Sequence, residues 1–297
     1  MIASIIIFAL TIGIIYSIIS LSVIFSFRVL GFPDLTPDGS FIVGASIGGI
    51  IIHTSNSIVL ALIISFIIGF AFGLLTAFLH NRLKISKLLS GILTMTLLYS
   101  VSLRIMGTSN LSLMDYPSLW ISNYSLNSQY YNLLISIIIS SIIFFLLFVF
   151  LKSNLGLRLR ALGDSEETAK NINLNIKQLN YVGLAISNGI VGLAGCIISQ
   201  YQGFVDITMG SGLVIICLAS IIIGETIVKP QNIFQLLISA LIGMIIYQVI
   251  ITITLQLGLP TTDMKIATVV ITIIFIFIEK IKMDSGKINR QIGNRNI

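Results

Sequence analysis

Apolar residues run along the chain in long blocks divided by short polar breaks, with neither the alternation of a half-buried strand nor the one-sided stripe of a soluble helix. Residues 5–25, 58–79, 88–106, 133–151, 179–198, 233–255 and 266–278 form the longest blocks. They predict helices that cross a bilayer, since a core about 30 Å thick takes about 20 residues at about 1.5 Å each. Two further blocks, residues 40–52 and 212–223, are too short to cross at that rise and predict half-length helices. The expected architecture is all-α and polytopic with nine spans, or eight if the segment 40–52 re-enters from the side it came from.

Each short block follows a copy of one motif. Gly31-Phe32-Pro33-Asp34-Leu35-Thr36 returns as Gly203-Phe204-Val205-Asp206-Ile207-Thr208. Duplicated broken segments in the two halves of a membrane chain point to a substrate pathway, because irregular backbone is tolerated at membrane depth only where protein or a water-filled cavity satisfies its polar groups.

Composition agrees with a membrane protein: 56% of residues are hydrophobic and 9% charged, against about 25% charged in a soluble domain. The formal charge of +6 does not indicate nucleic acid, because the basic residues sit in a few loops. Arg82, Lys84 and Lys87 form one group, Lys152, Arg158, Arg160, Lys170 and Lys177 a second, and Lys280, Lys282, Lys287, Arg290 and Arg295 a third. The positive-inside rule makes these loops cytoplasmic and the Lys- and Arg-free stretches 107–131 and 257–264 external. The N-terminus is then outside, Arg28 inside and residues 203–211 outside, so the motif copies face opposite sides as inverted repeats. Residues 1–279 are expected to form one transmembrane domain and residues 280–297 a basic cytoplasmic tail beside anionic lipid. No basic region precedes the first apolar block, which is expected to stay as a helix rather than be cleaved.

Cys196 and Cys217 fall in apolar runs and His53 and His80 at span ends, with no ligand spacing around them, so neither a metal nor another cofactor is expected. Tyr116, Trp120, Tyr124, Tyr130 and Tyr131 suggest an aromatic interface belt. Gly44/Gly48 and Gly69/Gly73 have the spacing of close helix contacts, within the chain or between protomers.

The cytoplasmic stretch 152–178 has a chemistry of its own. Asp164 or Ser165 caps a short helix whose first turn carries Glu166 and Glu167, favourable at the positive end of the helix dipole, and Lys170 follows Glu166 by four residues. Asn173 tolerates the left-handed conformation at a helix end. Such a helix suits either a partner's groove or a solvated surface.

The run Arg160-Ala161-Leu162-Gly163-Asp164-Ser165-Glu166-Glu167-Thr168-Ala169, with Asn175 and the small-residue helix from Gly189 to Gly195, resembles permease subunits of bacterial ABC importers of the branched-chain amino acid and ribose type. Pro33-Asp34-Leu35-Thr36-Pro37-Asp38-Gly39-Ser40 resembles the subgroup described as uncharacterised or as tryptophan/tyrosine-type permeases. The likeness covers roughly residues 5–278. It implies that the Arg-Ala-x-Gly-Asp segment docks into a cytoplasmic ATPase, giving coupling roles to Arg160, Gly163, Asp164, Glu166, Glu167 and Asn173, the last standing where relatives carry Gly. It also implies a homodimer of permeases in the bacterial inner membrane and an extracytoplasmic solute-binding protein delivering a small solute, with an amino acid favoured. No Gly-x-x-x-x-Gly-Lys-Ser/Thr motif occurs, so ATP must be bound by another chain, and no catalytic residue is expected.

Asp34, Thr36, Asp38 and Ser40 from the first motif, and Asp206, Thr208 and Met209 from the second, are the candidate pathway residues. Ionisable groups at membrane depth are costly, so function is their default reading, yet each set also supplies helix caps. The rival is an ion-coupled secondary transporter, which has no need of a capped docking helix.

Overall fold

The computed structural model describes residues 2–121 and 126–258, with residues 266, 268–270, 273 and 277. Where no water reaches the backbone, a chain satisfies its amides within each segment by forming helices. The described residues follow that rule in the order α1 (Ile2–Ile24), a π-helical turn (Phe25–Val29), α2 (Thr36–Ser55), α3 (Ile58–Leu83), α4 (Lys87–Met106), β1 (Asn110–Ser112), α5 (Leu126–Lys152), α6 (Asn154–Asp164), α7 (Glu166–Asn171), α8 (Ile176–Gln202), β2 (Phe204–Asp206), α9 (Leu213–Val228) and α10 (Ile233–Gln256). The protein is an all-α polytopic membrane protein. Among the described residues six helices are long and apolar enough to cross a bilayer, and the shorter α9 joins them. The block expected at 266–278 lies mostly outside the described residues.

The segment 40–52 is not a half-length helix. It is the middle of α2, which has 20 residues, of which fourteen are buried. The expectation assumed lipid as the solvent, which polar ends such as Thr36-Pro37-Asp38 and His53-Thr54-Ser55 would not enter. Protein surrounds α2 from Thr36 to Ile52 instead, while His53, Thr54 and Ser55 reach the exposed surface; Pro37 falls in its first turn, and Asn56 ends it in the left-handed conformation. The second short helix, α9, begins one residue later than predicted and gains a turn through Val228. Glu225 is tolerated in that turn because Arg28 Nε donates to its carboxylate at 2.9 Å, closing an ion pair.

Glycines set how closely the helices approach. A Cβ on Gly44 would lie 2.0 Å from the Gly192 carbonyl oxygen, and one on Gly69 or Gly73 would lie 2.3 Å or 2.2 Å from those of Asn188 and Leu184. The small-residue faces of α2 and α3 are therefore spent on α8, inside the chain.

The inverted repeat is visible in the packing. Moving by the offset from residue 31 to residue 203 carries α1 onto α8, α2 onto α9 and α3 onto α10. It also carries the pair Gly73 and Ala185, where a glycine Cβ would stand 2.8 Å from the facing Cα, onto Ile245 and Gly13, where the equivalent distance is 2.9 Å. Along the antiparallel α1 and α8, Phe8 meets Tyr201 and Tyr16 meets Gln202, while Ser22 bonds Ser187 at the other end. One end of the bundle carries the β1–β2 pairing, and the other gathers Arg28, Lys87 and α6–α7, matching the grouping of basic loops and loops without Lys or Arg.

The aromatic group divides. Trp120 is buried, donates its indole N–H to the Ile197 carbonyl at 3.3 Å and stands edge-on to Tyr201, while Tyr116 packs on His53. Tyr130 and Tyr131 are exposed, and Tyr124 lies outside the described residues.

Candidate functional site

The first motif folds as an irregular segment between α1 and α2. Gly31, at φ +65°, makes the turn that a side chain would strain. Asp34 then closes a two-residue turn by accepting the Thr36 amide on Oδ1 at 2.8 Å, and its Oδ2 accepts the Asn188 side-chain amide at 2.8 Å. Asn188 Oδ1 in turn accepts the Ser40 hydroxyl at 2.8 Å. Thr36 bonds Thr76 on α3 at 2.8 Å, and Thr76 bonds Thr94 on α4 at 3.0 Å. Asp34, Thr36, Ser40 and Asn188 have no exposed surface. Burial of that kind is tolerable because both carboxylate oxygens are satisfied. The segment fits only because Gly91 leaves room: a Cβ there would stand 2.7 Å from the Leu35 nitrogen.

Asp38 reaches further. Its Oδ2 accepts the Gly212 amide at 3.0 Å and its Oδ1 the Val214 amide at 2.8 Å, while α9 has no side-chain cap of its own. Gly210 allows the approach, since a Cβ there would come 2.2 Å from the Asp38 carbonyl oxygen. Asp38 thus sits in the first turn of α2 and caps α9, so two helix N-termini, each carrying partial positive charge, share one carboxylate. A junction of this kind suits an anion.

Asp206, Thr208 and Met209 do not join that cluster. Asp206 ends β2 opposite Asn110, accepts the Thr208 amide at 2.8 Å and bonds the Asn110 side chain at 3.3 Å. The Thr208 hydroxyl and amide beside it hold its carboxyl below the usual carboxylate range. Met209 folds back with its Sδ 3.1 Å from the Asp206 nitrogen. Of the second copy, the residues that meet the first are the glycine-rich turn after the motif, Gly210 to Val214.

Asn188 is the member of the site that motif reading passed over. Its signal was a carboxamide inside the apolar block 179–198, where polar groups mark function or packing.

The cytoplasmic stretch expected to dock on the ATPase folds as two helices, α6 and α7. Ser153 caps α6, and Ser165 caps α7 by accepting the Thr168 amide at 3.2 Å. Glu166 bonds Lys170 at 2.9 Å, which, with Lys87 at 3.8 Å, holds its carboxyl below its ordinary value. Glu167 and Asp164 are exposed, Arg160 is half-buried, and Asn173 turns the chain at φ +56°. Gly163 faces the membrane helices rather than solvent: a Cβ there would stand 2.1 Å from the Val29 carbonyl oxygen, and one on Gly31 would stand 3.2 Å from Gly163. The end of α6 is therefore seated on the break that leads to Asp34 and Asp38. Cys196 and Cys217 are buried free thiols, and no metal-binding group of three His, Cys, Asp or Glu occurs among the described residues.

Residues 5–278 match the model of the family described as branched-chain amino acid transport system, permease component. The chain is 36% identical over 97% of its length, and 95% of the relative's, to a tyrosine transport system permease protein of Clostridioides difficile. It is 32% identical to the uncharacterised protein RP368 of Rickettsia prowazekii over 87% of this chain and 91% of that one. A fructose import permease protein of Bifidobacterium longum is 25% identical over 76% of this chain and 68% of its own. No solved structure matches the chain. The chain belongs to the family of branched-chain amino acid transport system permease components, as the membrane subunit of an ATP-binding cassette importer of a small solute whose ATP hydrolysis resides on a separate chain.

Proposed function

We propose that this permease works in a bacterial inner membrane with its C-terminus cytoplasmic, as one of two copies, and that it imports an amino acid delivered by an extracytoplasmic binding protein. The carrying observation is the mechanical continuity from α7 to Asp38. The exposed Glu167 and partly paired Glu166 face the ATPase, Gly163 bears on Val29 and Gly31, and the segment they begin holds Asp34 against Asn188 and Asp38 on the start of α9. A shift of α6 and α7 during the nucleotide cycle would move that segment and draw Asp38 from the two amides it caps. The freed N-termini would then offer an amino acid's carboxylate the donors that Asp38 had occupied. An aromatic amino acid is the first candidate, by likeness to the tyrosine transport permease. Basic loops at the α6–α7 end support the cytoplasmic assignment of that end.

The test is substrate-stimulated ATP hydrolysis by the reconstituted complex carrying Glu166→Lys and Glu167→Lys together. The pair removes favourable charge from the first turn of α7 and reverses the face shown to the ATPase. Stimulation is expected to fall at least tenfold while the subunit still inserts. Full stimulation in an assembled complex would sink the coupling role.

A further inference from the structure

Beneath α7 lies a cavity of about 450 Å³, walled by the end of α3, the start of α4, α7 and the start of α8. Four of its lining side chains are lysines, Lys84, Lys87, Lys170 and Lys177, against one carboxylate, Glu166. Glu166 is already engaged by Lys170 at 2.9 Å and Lys87 at 3.8 Å. Among the described residues neither Lys84 nor Lys177 has an ion-pair partner. The walls are built rather than loose. Asn180, only 4% exposed, donates to Asn81 at 3.1 Å, and Asn81 donates to the Lys177 carbonyl at 3.1 Å, fixing α3 against α8. Lys84 ends α3 in the left-handed conformation at φ +56°, an unusual backbone for a side chain of its kind. Four lysines and one carboxylate around one concave space leave it net positive, a field that attracts an anion.

We propose that this cavity binds a phosphate-bearing anion that bridges the α3–α4 turn to α7. Lysine supplies the compact charge suited to phosphate. Two sources fit that chemistry, the headgroup of an anionic phospholipid at the cytoplasmic surface and a soluble phosphate. Because α7 forms one wall, an occupied cavity would hold the coupling segment against the membrane helices. That consequence rests on the ATPase-facing reading of α7, whereas binding itself does not.

Binding is measured on the full-length permease purified in neutral detergent, without the ATPase, so it is independent of the coupling experiment. The probes are phosphatidylglycerol, phosphatidylcholine and inorganic phosphate, read by native mass spectrometry and by the protection of individual lysines from acylation. Phosphatidylglycerol is expected to bind and to protect Lys84 and Lys177 but not Lys152, with phosphatidylcholine inert. Protection by inorganic phosphate as well assigns a soluble ligand, and its absence assigns the lipid; either supports the site. Lys84→Gln with Lys177→Gln should weaken binding roughly tenfold or more, while Lys152→Gln with Arg158→Gln, outside the cavity, should not. Equal weakening by both pairs means a diffuse basic surface, and no protection of Lys84 and Lys177 by either anion means an empty cavity; each overturns the proposal. The protection experiment uses the unaltered chain, so it decides the question even if the lysine variants fail to fold.

Discussion

The two copies of the Asp-Leu/Ile-Thr motif make the same turn and come to different ends. Asp34 accepts the Thr36 amide and Asp206 the Thr208 amide, both at 2.8 Å. The first turn is buried against Asn188, Thr76 and Gly91, whereas the second closes a short two-stranded pairing at the opposite end of the bundle. Local sequence repeats local geometry; whether the resulting carboxylate faces protein or water depends on what the rest of the chain packs around it. Inverted repeats make this visible because α1, α2 and α3 have counterparts in α8, α9 and α10, yet α2 has fourteen of its twenty residues buried and its counterpart α9 only eight of sixteen.

Asp34→Ala should separate the copies most strongly. It leaves the Asn188 amide and the Thr36 N–H without their acceptor in a dry site, at about 1–3 kcal/mol for each stranded group. The purified permease should melt several degrees lower and uptake should be lost, while Asp206→Ala should leave both near wild type. Equal losses from the two would mean that the copies are equivalent in the assembled transporter.

A smaller effect is expected from Asp38→Asn. The carboxamide keeps one acceptor for α9 and removes the charge shared by two N-termini. Uptake should fall severalfold at unchanged abundance, with Asp206→Asn transporting normally. Normal uptake by both variants would reduce Asp38 to a structural cap and move the pathway to neighbouring Ser, Thr and Met side chains.

Asn188→Leu sharpens the comparison from the partner side. It removes the link between Asp34 and Ser40 without touching either motif. A loss of thermal stability smaller than that of Asp34→Ala is expected, since Asp34 keeps the Thr36 amide. A variant as stable as wild type would show that the buried network contributes little to holding the segment.

The smallest effect concerns pH. Asp206 is held below its ordinary carboxylate range by Thr208, so its contribution to stability is present above the unfolded-state value, about 3.9, and is lost as pH falls through the folded-state value. Its partial exposure keeps the effect slight. Asp206→Asn should flatten a shallow decline in melting temperature below about pH 4; an unaltered slope would assign the decline to other carboxylates.

The membrane class, most helix positions, the inverted repeat and the capped α7 follow from the sequence because each depends on near neighbours or on a length set by the bilayer. Thus Ser165 caps α7, Glu166 meets Lys170 four residues on, and Asn173 takes the left-handed turn. The extent of α2 was decided by the fold, since protein packed around its start accepts Thr36 and Asp38 where lipid would not, and its last residues emerge at the exposed surface. So was the meeting of Asp38 with Gly212 and Val214, which are remote in sequence and joined by no local pattern. Gly163 makes the same point. As a motif residue it pointed toward a partner, but its lack of a side chain serves the contact with Val29 and Gly31, and only packing determines which backbone stands 2.1 Å from a missing Cβ.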